Sequence, residues 1–263
     1  MKRVFAAACA AVLACHALAQ GASLRIDPWL DAGILTAGLG AAAGSLALPG
    51  FDGGGQSFPL DPGSLSGLDA LACLPRDEAL SKASLISLGL SLVTPAAFAL
   101  VGKDSELLPA AICCAEAVAW TFAAKNALKA LIPKARPYCY SEVPPSGDLL
   151  DEAWESFPSG HTALAFSAVT AFAVLALELS PSNPATPWLV GGAYSLAITT
   201  AALRVASGYH FLGDVAGAAL LGSAIGYVTV RLHVERREGG ASPALGLRGG
   251  GGGLPMLVLT LRY

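Results

Sequence analysis

The sequence is poor in charge. Asp, Glu, Lys and Arg make up 13% of its 263 residues, about half of the roughly 25% that a water-soluble domain carries. Hydrophobic residues make up 54%. That imbalance argues against an ordinary soluble globule and for a solvent less polar than water. Basic blocks are missing away from the termini and the formal net charge is -3, so nothing points to a nucleic-acid partner. Cys-x-x-Cys pairs are missing too, and with them zinc-ribbon and dithiol redox motifs. Of the six cysteines, Cys9 and Cys15 lie in the first stretch. Cys113 and Cys114 sit side by side in an apolar run and read as helix packing. Cys73 and Cys139 fall in loops expected outside the membrane, where an oxidising compartment permits a disulfide. The chain also lacks an internal repeat.

What is present is a series of long apolar runs. Residues 1–19 resemble a secretory leader or N-terminal anchor: Lys2 and Arg3, then apolar Phe5 to Ala14, then the small-residue site Ala17-Leu18-Ala19. A lipoprotein-type signal at Val12-Leu13-Ala14-Cys15 is the alternative reading. Crossing about 30 Å of hydrocarbon takes roughly 20 apolar residues. Ala83–Val101, Leu107–Leu131, Thr162–Leu179, Trp188–Ala206 and Leu212–Leu232 meet that requirement. Leu30–Leu48 is apolar but short and interrupted by glycines. The expected architecture is therefore an all-α, membrane-embedded bundle of five to six helices. Residues 20–82 form an apolar segment with an extracytoplasmic loop, 83–232 the catalytic bundle, and 233–263 a Gly-rich tail. Within the tail, Met256 to Tyr263 alternates like a strand but has no evident partner.

Positive charge orients the bundle. Arg231, Arg236 and Arg237 follow the last run and place the C-terminus in the cytoplasm, and Lys103 fits the same side. Loops 132–161 and 207–211 then face outward, as does 49–82. Parity leaves a choice. Either the leader is processed and 30–48 does not span, or 30–48 spans and the leader stays inside.

Three polar clusters interrupt the apolar background, all at outer ends of the expected spans. They are Lys129 with Arg136-Pro137; Pro158-Ser159-Gly160-His161; and Arg204, His210 and Asp214. Ionisable groups at such depth are costly unless they serve a site. Lys129, Arg136 and Arg204 offer cationic donors that suit phosphate oxygens. Ser159 and Gly160, ahead of a helix, offer a hydroxyl and free backbone N–H groups for an anion. His210 and Asp214 stand at i and i+4. Asp214 is expected to accept the Nδ1–H of His210 and so leave Nε2 free to attack phosphorus. His161 suits protonation of the leaving oxygen and later activation of water. No His, Cys, Asp and Glu in this region has metal-ligand spacing, and no cofactor is expected.

The run KALIPKARP, then PSGH, then LRVASGYHFLGD resembles the three-part signature of the PAP2 and vanadium haloperoxidase superfamily. It covers residues 129–214, and the surrounding helices extend the similarity over most of 83–232. The resemblance implies an all-α bundle, metal-independent phosphatase chemistry and a phosphohistidine at His210. The expected substrate is a lipid phosphate or diphosphate, hydrolysed at the outer face of a bacterial inner membrane. Undecaprenyl diphosphate, phosphatidylglycerol phosphate, phosphatidic acid and a lipid A phosphate are the candidates that the resemblance supplies. One departure stands out: Leu203 replaces the Ser that usually precedes the third-motif Arg. An exported acid phosphatase acting on soluble esters, and a non-catalytic lipid-binding or transport protein, are the competing readings.

Overall fold

The computed structural model describes residues 22–236 except 52, 56 and 144, together with the backbone of 242–248 and 256–262. The leader expected from the sequence, and residues 249–253 of the Gly-rich tail, lie outside the described residues. Six long helices carry the fold: α1 (Pro28–Ser45), α2 (Glu78–Val93, continued by a 3-10 stretch Thr94–Leu100), α3 (Asp104–Leu131), α4 (Gly160–Leu179), α5 (Thr186–Ala206) and α6 (Leu212–His233). The last five are long and apolar enough to cross a membrane, and they agree with the five runs expected from composition. The chain is a multi-pass membrane protein. Helix starts follow the usual chemistry. The Asp27 carboxylate accepts from the N–H groups of Trp29 and Leu30 ahead of α1, with Pro28 in the first turn. Asp77 caps α2 through the N–H of Leu80 at 2.9 Å.

Helix α4 is the central post. About 72% of its apolar window is buried inside the protein, against 28–44% for the other four spans. The outer helices turn large apolar side chains outward instead, among them Leu85, Ile86, Leu108 and Leu220. That is the pattern of a bundle solvated by lipid. Trp29 and Trp188 are strongly exposed at the starts of α1 and α5. Those starts lie at the same end of the bundle, where exposed tryptophan suits a membrane interface.

Small residues let the helices close on each other. Gly222 and Gly226 of α6, four apart, lie against the α4 backbone. A Cβ on Gly222 would collide with the Ala163 carbonyl, and one on Gly226 would come within 2.5 Å of the Ser167 carbonyl. Hydroxyl groups add interhelical hydrogen bonds: Ser87 Oγ to the Leu196 carbonyl at 3.0 Å, and Thr121 Oγ1 to Ser167 Oγ at 2.9 Å.

Helix α1 settles beside α3 and runs the height of the bundle. Asp31 near its start meets His233 at the end of α6, while Ser45 at its end accepts a hydrogen bond from Asn126 of α3. Just before it, β1 (Ala22–Leu24) pairs antiparallel with β2 (Val234–Arg236), so the two ends of the bundle sequence meet at one face. The tail departs from expectation. Its strand-like stretch β4 (Met256–Arg262) has a partner, β3 (Ser242–Arg248), in an antiparallel hairpin. Pro243 and Gly246 interrupt the alternation of 242–248 and hide that partner from a period count. Cys73 and Cys139 form no disulfide: both are free thiols, directed at the carbonyls of Pro137 and Ala153.

Candidate active site

Alternation of helix direction decides where the polar clusters meet. Lys129 and Arg204 sit in the last turns of α3 and α5, His161 in the first turn of α4, and Asp214 in the first turn of α6. In an up-and-down bundle those four ends share one face. Arg136 and His210 come from the loops that cap it. His210 lies within the electrostatic influence of Arg136, Arg204 and Lys129, and His161 within that of Arg204, Arg136, Lys129 and Lys125. All eight residues expected from the sequence are therefore brought to one end of the bundle.

The loop between α3 and α4 is held in two-stranded fashion. Lys134 N–H donates to the Trp154 carbonyl, Arg136 N–H to the Ala153 carbonyl and Ser156 N–H to the Lys134 carbonyl, at 2.8, 2.8 and 2.9 Å. This pairing places Ser156 beside the short loop between α5 and α6. There Gly208 takes a positive φ of 69° with its Cα against the Leu74 and Pro75 carbonyls. Glycine meets both demands, the left-handed backbone and the absence of a side chain.

His210 is buried, and its Nδ1 lies 2.7 Å from the Ser156 carbonyl. A carbonyl only accepts, so Nδ1 carries the proton and Nε2 keeps a free electron pair. This corrects the expected role of Asp214. Its nearer oxygen stands 3.9 Å from His210 Nδ1, too far for a hydrogen bond. Asp214 is fully buried and spends its oxygens elsewhere. It accepts from Lys134 Nζ at 2.7 Å, from Ser156 Oγ, and from the Phe211 N–H at 2.9 Å. It thus anchors both the start of α6 and the serine whose carbonyl orients His210. Burial, then the charges of Arg136, Arg204 and Lys129, hold the His210 imidazole well below its ordinary range, so it is neutral at neutral pH.

Three arginines are arranged around Tyr209. The Arg204 and Arg136 guanidinium carbons lie 4.5 and 5.5 Å from its ring centroid, and Arg76 Nε donates to its hydroxyl at 3.1 Å. Arg204 also donates to Ser81 Oγ and Ser84 Oγ of α2, at 3.1 and 3.4 Å. Hydroxyl support near Arg204 thus comes from a different helix than the position filled by Leu203. Arg204 Nε is buried with no hydrogen-bond partner, a donor left available for an anion. Two loop carboxylates rest on the other cations: Glu155 on Lys129 at 3.1 Å and Glu152 on Arg136 at 2.9 Å.

Ser159 occupies the N-cap position of α4 but does not cap it with its side chain; its Oγ instead lies 3.0 Å from Thr162 Oγ1. The first N–H groups of α4, from Gly160 onward, remain for an incoming anion. Lys125 packs on Gly160, where a Cβ would stand 3.1 Å from its Cδ. Lys125, Lys134 and Tyr209 escaped the sequence reading. Lys125 precedes Lys129 by one helical turn, and that spacing is the signal that finds it.

Residues 110–238 match the family model described as the PAP2 superfamily. No curated protein matches the chain. Among solved structures, the transmembrane PAP2 type phosphatidylglycerolphosphate phosphatase from Bacillus subtilis aligns at 17% identity with a TM-score of 0.43, over 84% of this chain and 91% of that one.

Proposed function

We propose that this chain, whose residues 110–238 belong to the PAP2 superfamily, is a phosphatase that hydrolyses a lipid phosphate or diphosphate through a phosphohistidine on His210. The carrying observation is the buried, neutral His210, with Nδ1 pinned to the Ser156 carbonyl and three cations around it. Lys129, Arg136 and Arg204 hold the phosphoryl oxygens, joined by the first N–H groups of α4. Nε2 of His210 attacks phosphorus in line with the leaving oxygen, and the P–O bond to the lipid breaks as the P–N bond forms. His161, protonated once the anionic phosphate of the substrate offsets the surrounding cations, gives its proton to that oxygen. In the second half His161 takes a proton from water, the water oxygen attacks phosphorus, and the P–N bond breaks to free His210 and inorganic phosphate. The cations and N–H groups stabilise the charge on the equatorial oxygens throughout.

A lipid substrate is supported by where the site stands. It sits at the ends of membrane-crossing helices, and Lys129 lines a cleft together with Leu46, Leu48, Phe51 and Trp154. Such a cleft offers a cation for a headgroup and apolar walls for the chain next to it. The basic residues after α6 support an outward-facing site.

Release of inorganic phosphate from a panel of lipid phosphates, in detergent, tests this reading. His210→Ala should lose turnover by about four orders of magnitude or more while remaining folded. Asp214→Asn should be impaired less completely. Vanadate, which takes the five-coordinate geometry, should inhibit the parent chain and lose potency in Arg204→Ala. The folded chain should turn over in the presence of chelator. Normal turnover by well-folded His210→Ala refutes the mechanism, and equal activity on soluble esters without detergent refutes the lipid assignment.

A further inference from the structure

A second polar cluster lies at the opposite end of the bundle. Asp31 of α1, Glu116 of α3 and His233 of α6 are all buried, and their ligand atoms lie within 4.8 Å of one another. It is the one group of three His, Cys, Asp or Glu side chains with that geometry among the described residues. His233 Nε2 stands 2.9 Å from Asp31 Oδ1 and 3.3 Å from Glu116 Oε2. His233 Nδ1 stands 2.7 Å from the Thr229 carbonyl. That carbonyl holds a proton on Nδ1, and Nε2 faces the two carboxylates, donating to Asp31 Oδ1 when it is protonated and offering its electron pair to an ion when it is not. A backbone acceptor behind the ring is the usual support of a metal-ligating histidine.

The carboxylates are not otherwise accounted for. Asp31 Oδ2 and both oxygens of Glu116 are buried without a hydrogen-bond partner. The ion pairs of Asp31 and Glu116 among the described residues go to His233 alone. With a neutral imidazole the cluster carries two negative charges inside an apolar bundle, an arrangement that demands compensation. Protons on the ring and on one carboxyl offset them, and so does a single dication, which also engages the carboxylate oxygens left without a partner. The spacing also suits an ion. Ligand atoms about 2.0–2.1 Å from a tetrahedral centre lie about 3.3 Å apart, close to the two separations from Nε2. One nitrogen and carboxylate oxygens in a dry site suit a first-row transition ion better than calcium, which takes six to eight oxygens, or magnesium, which keeps its waters. A cleft lined by Ile34, Trp120, Val228 and Leu232 reaches Glu116 and His233.

We propose that Asp31, Glu116 and His233 bind one divalent first-row transition cation, Zn²⁺ or Mn²⁺, which fastens α1 to α3 and α6. The ion takes no part in phosphoryl transfer. Asp214 and His233 stand at opposite ends of α6, separated by about 28 Å at 1.5 Å per residue. Sequence spacing gives no hint of the site, because each ligand comes from a different helix.

The full chain in detergent, stripped with EDTA and then dialysed against Zn²⁺ or Mn²⁺, should take up about one ion per chain by plasma emission. Its thermal midpoint should rise by about 5 °C or more, as binding to the native state requires. Both effects should vanish in Glu116→Gln and in His233→Ala. Stripped Glu116→Gln should melt no lower than the stripped parent, because it removes a buried uncompensated charge. Co²⁺ in the parent chain should give the visible absorption of a tetrahedral N/O site, a measurement that needs no variant. Uptake by the parent no greater than by Glu116→Gln, uptake unchanged in both variants, or featureless Co²⁺ spectra would each overturn the proposal.

Discussion

His210 owes its free electron pair to a carbonyl group, and that has consequences for pH. Burial and the three neighbouring cations keep the imidazole unprotonated well below the ordinary value of about 6.5. The unfolded chain therefore binds this proton at a higher pH than the folded chain does. Stability from this group is present above pH 6.5 and is lost as pH falls through and below it. Thermal midpoints taken between pH 7 and 5 should fall, and His210→Gln should make the fall shallower. Lys134 poses a complementary case. Partial burial opposes its charge, but hydrogen bonds to Asp214 and Asp69 outweigh that and raise it above its ordinary range. Lys134→Met leaves the buried Asp214 carboxylate without its cation and should cost about 3 kcal/mol. It should also lower turnover through the lost anchor of Ser156, while Lys134→Arg should retain most of both. Denaturant titration alongside phosphate release checks this, and equal behaviour of the Met and Arg variants would contradict it.

At the scale of elements, the α4–α6 contact rests on missing side chains. Gly222→Ala puts a methyl group into the Ala163 carbonyl and should destabilise by about 3 kcal/mol or more. Gly191→Ala on α5, where a Cβ meets nothing within 4 Å, should be neutral or gain about 0.5–1 kcal/mol from helix propensity. Thermal midpoints in detergent separate the two. The five apolar spans were legible because length and composition alone define a membrane helix, and the three polar clusters that gather at one end because each keeps its local spacing. The orienting partner of His210 was not legible. Spacing of i to i+4 nominated Asp214, whereas the acceptor is a backbone carbonyl 54 residues earlier, and every residue type carries one. Ser81 and Ser84 were hidden for a similar reason, since their meeting with Arg204 depends on how α2 leans against α5. The partner of the last strand was hidden by Pro243 and Gly246, which break the alternation of 242–248.

For the whole molecule, the course of α1 bears on topology. The pairing of 22–24 with 234–236 brings those segments to one face, with loop 132–159 at the other. In intact spheroplasts of a Cys73→Ser background, an impermeant thiol reagent should label Ser146→Cys but reach Ser23→Cys after lysis only. Labelling of both before lysis would contradict the N-terminal placement, and labelling of Ser146→Cys after lysis only would turn the site toward the cytoplasm. The cluster of Asp31, Glu116 and His233 carries a further consequence, in the order of synthesis. The two carboxylates are made first, on α1 and α3, and the imidazole arrives with the last residue of α6. Until then, both acids enter the membrane without their nitrogen partner. A nascent chain is thus incomplete in charge as well as in packing until its final helix docks, and a product ending before α6 presents unpaired acids to the quality-control proteases of the membrane.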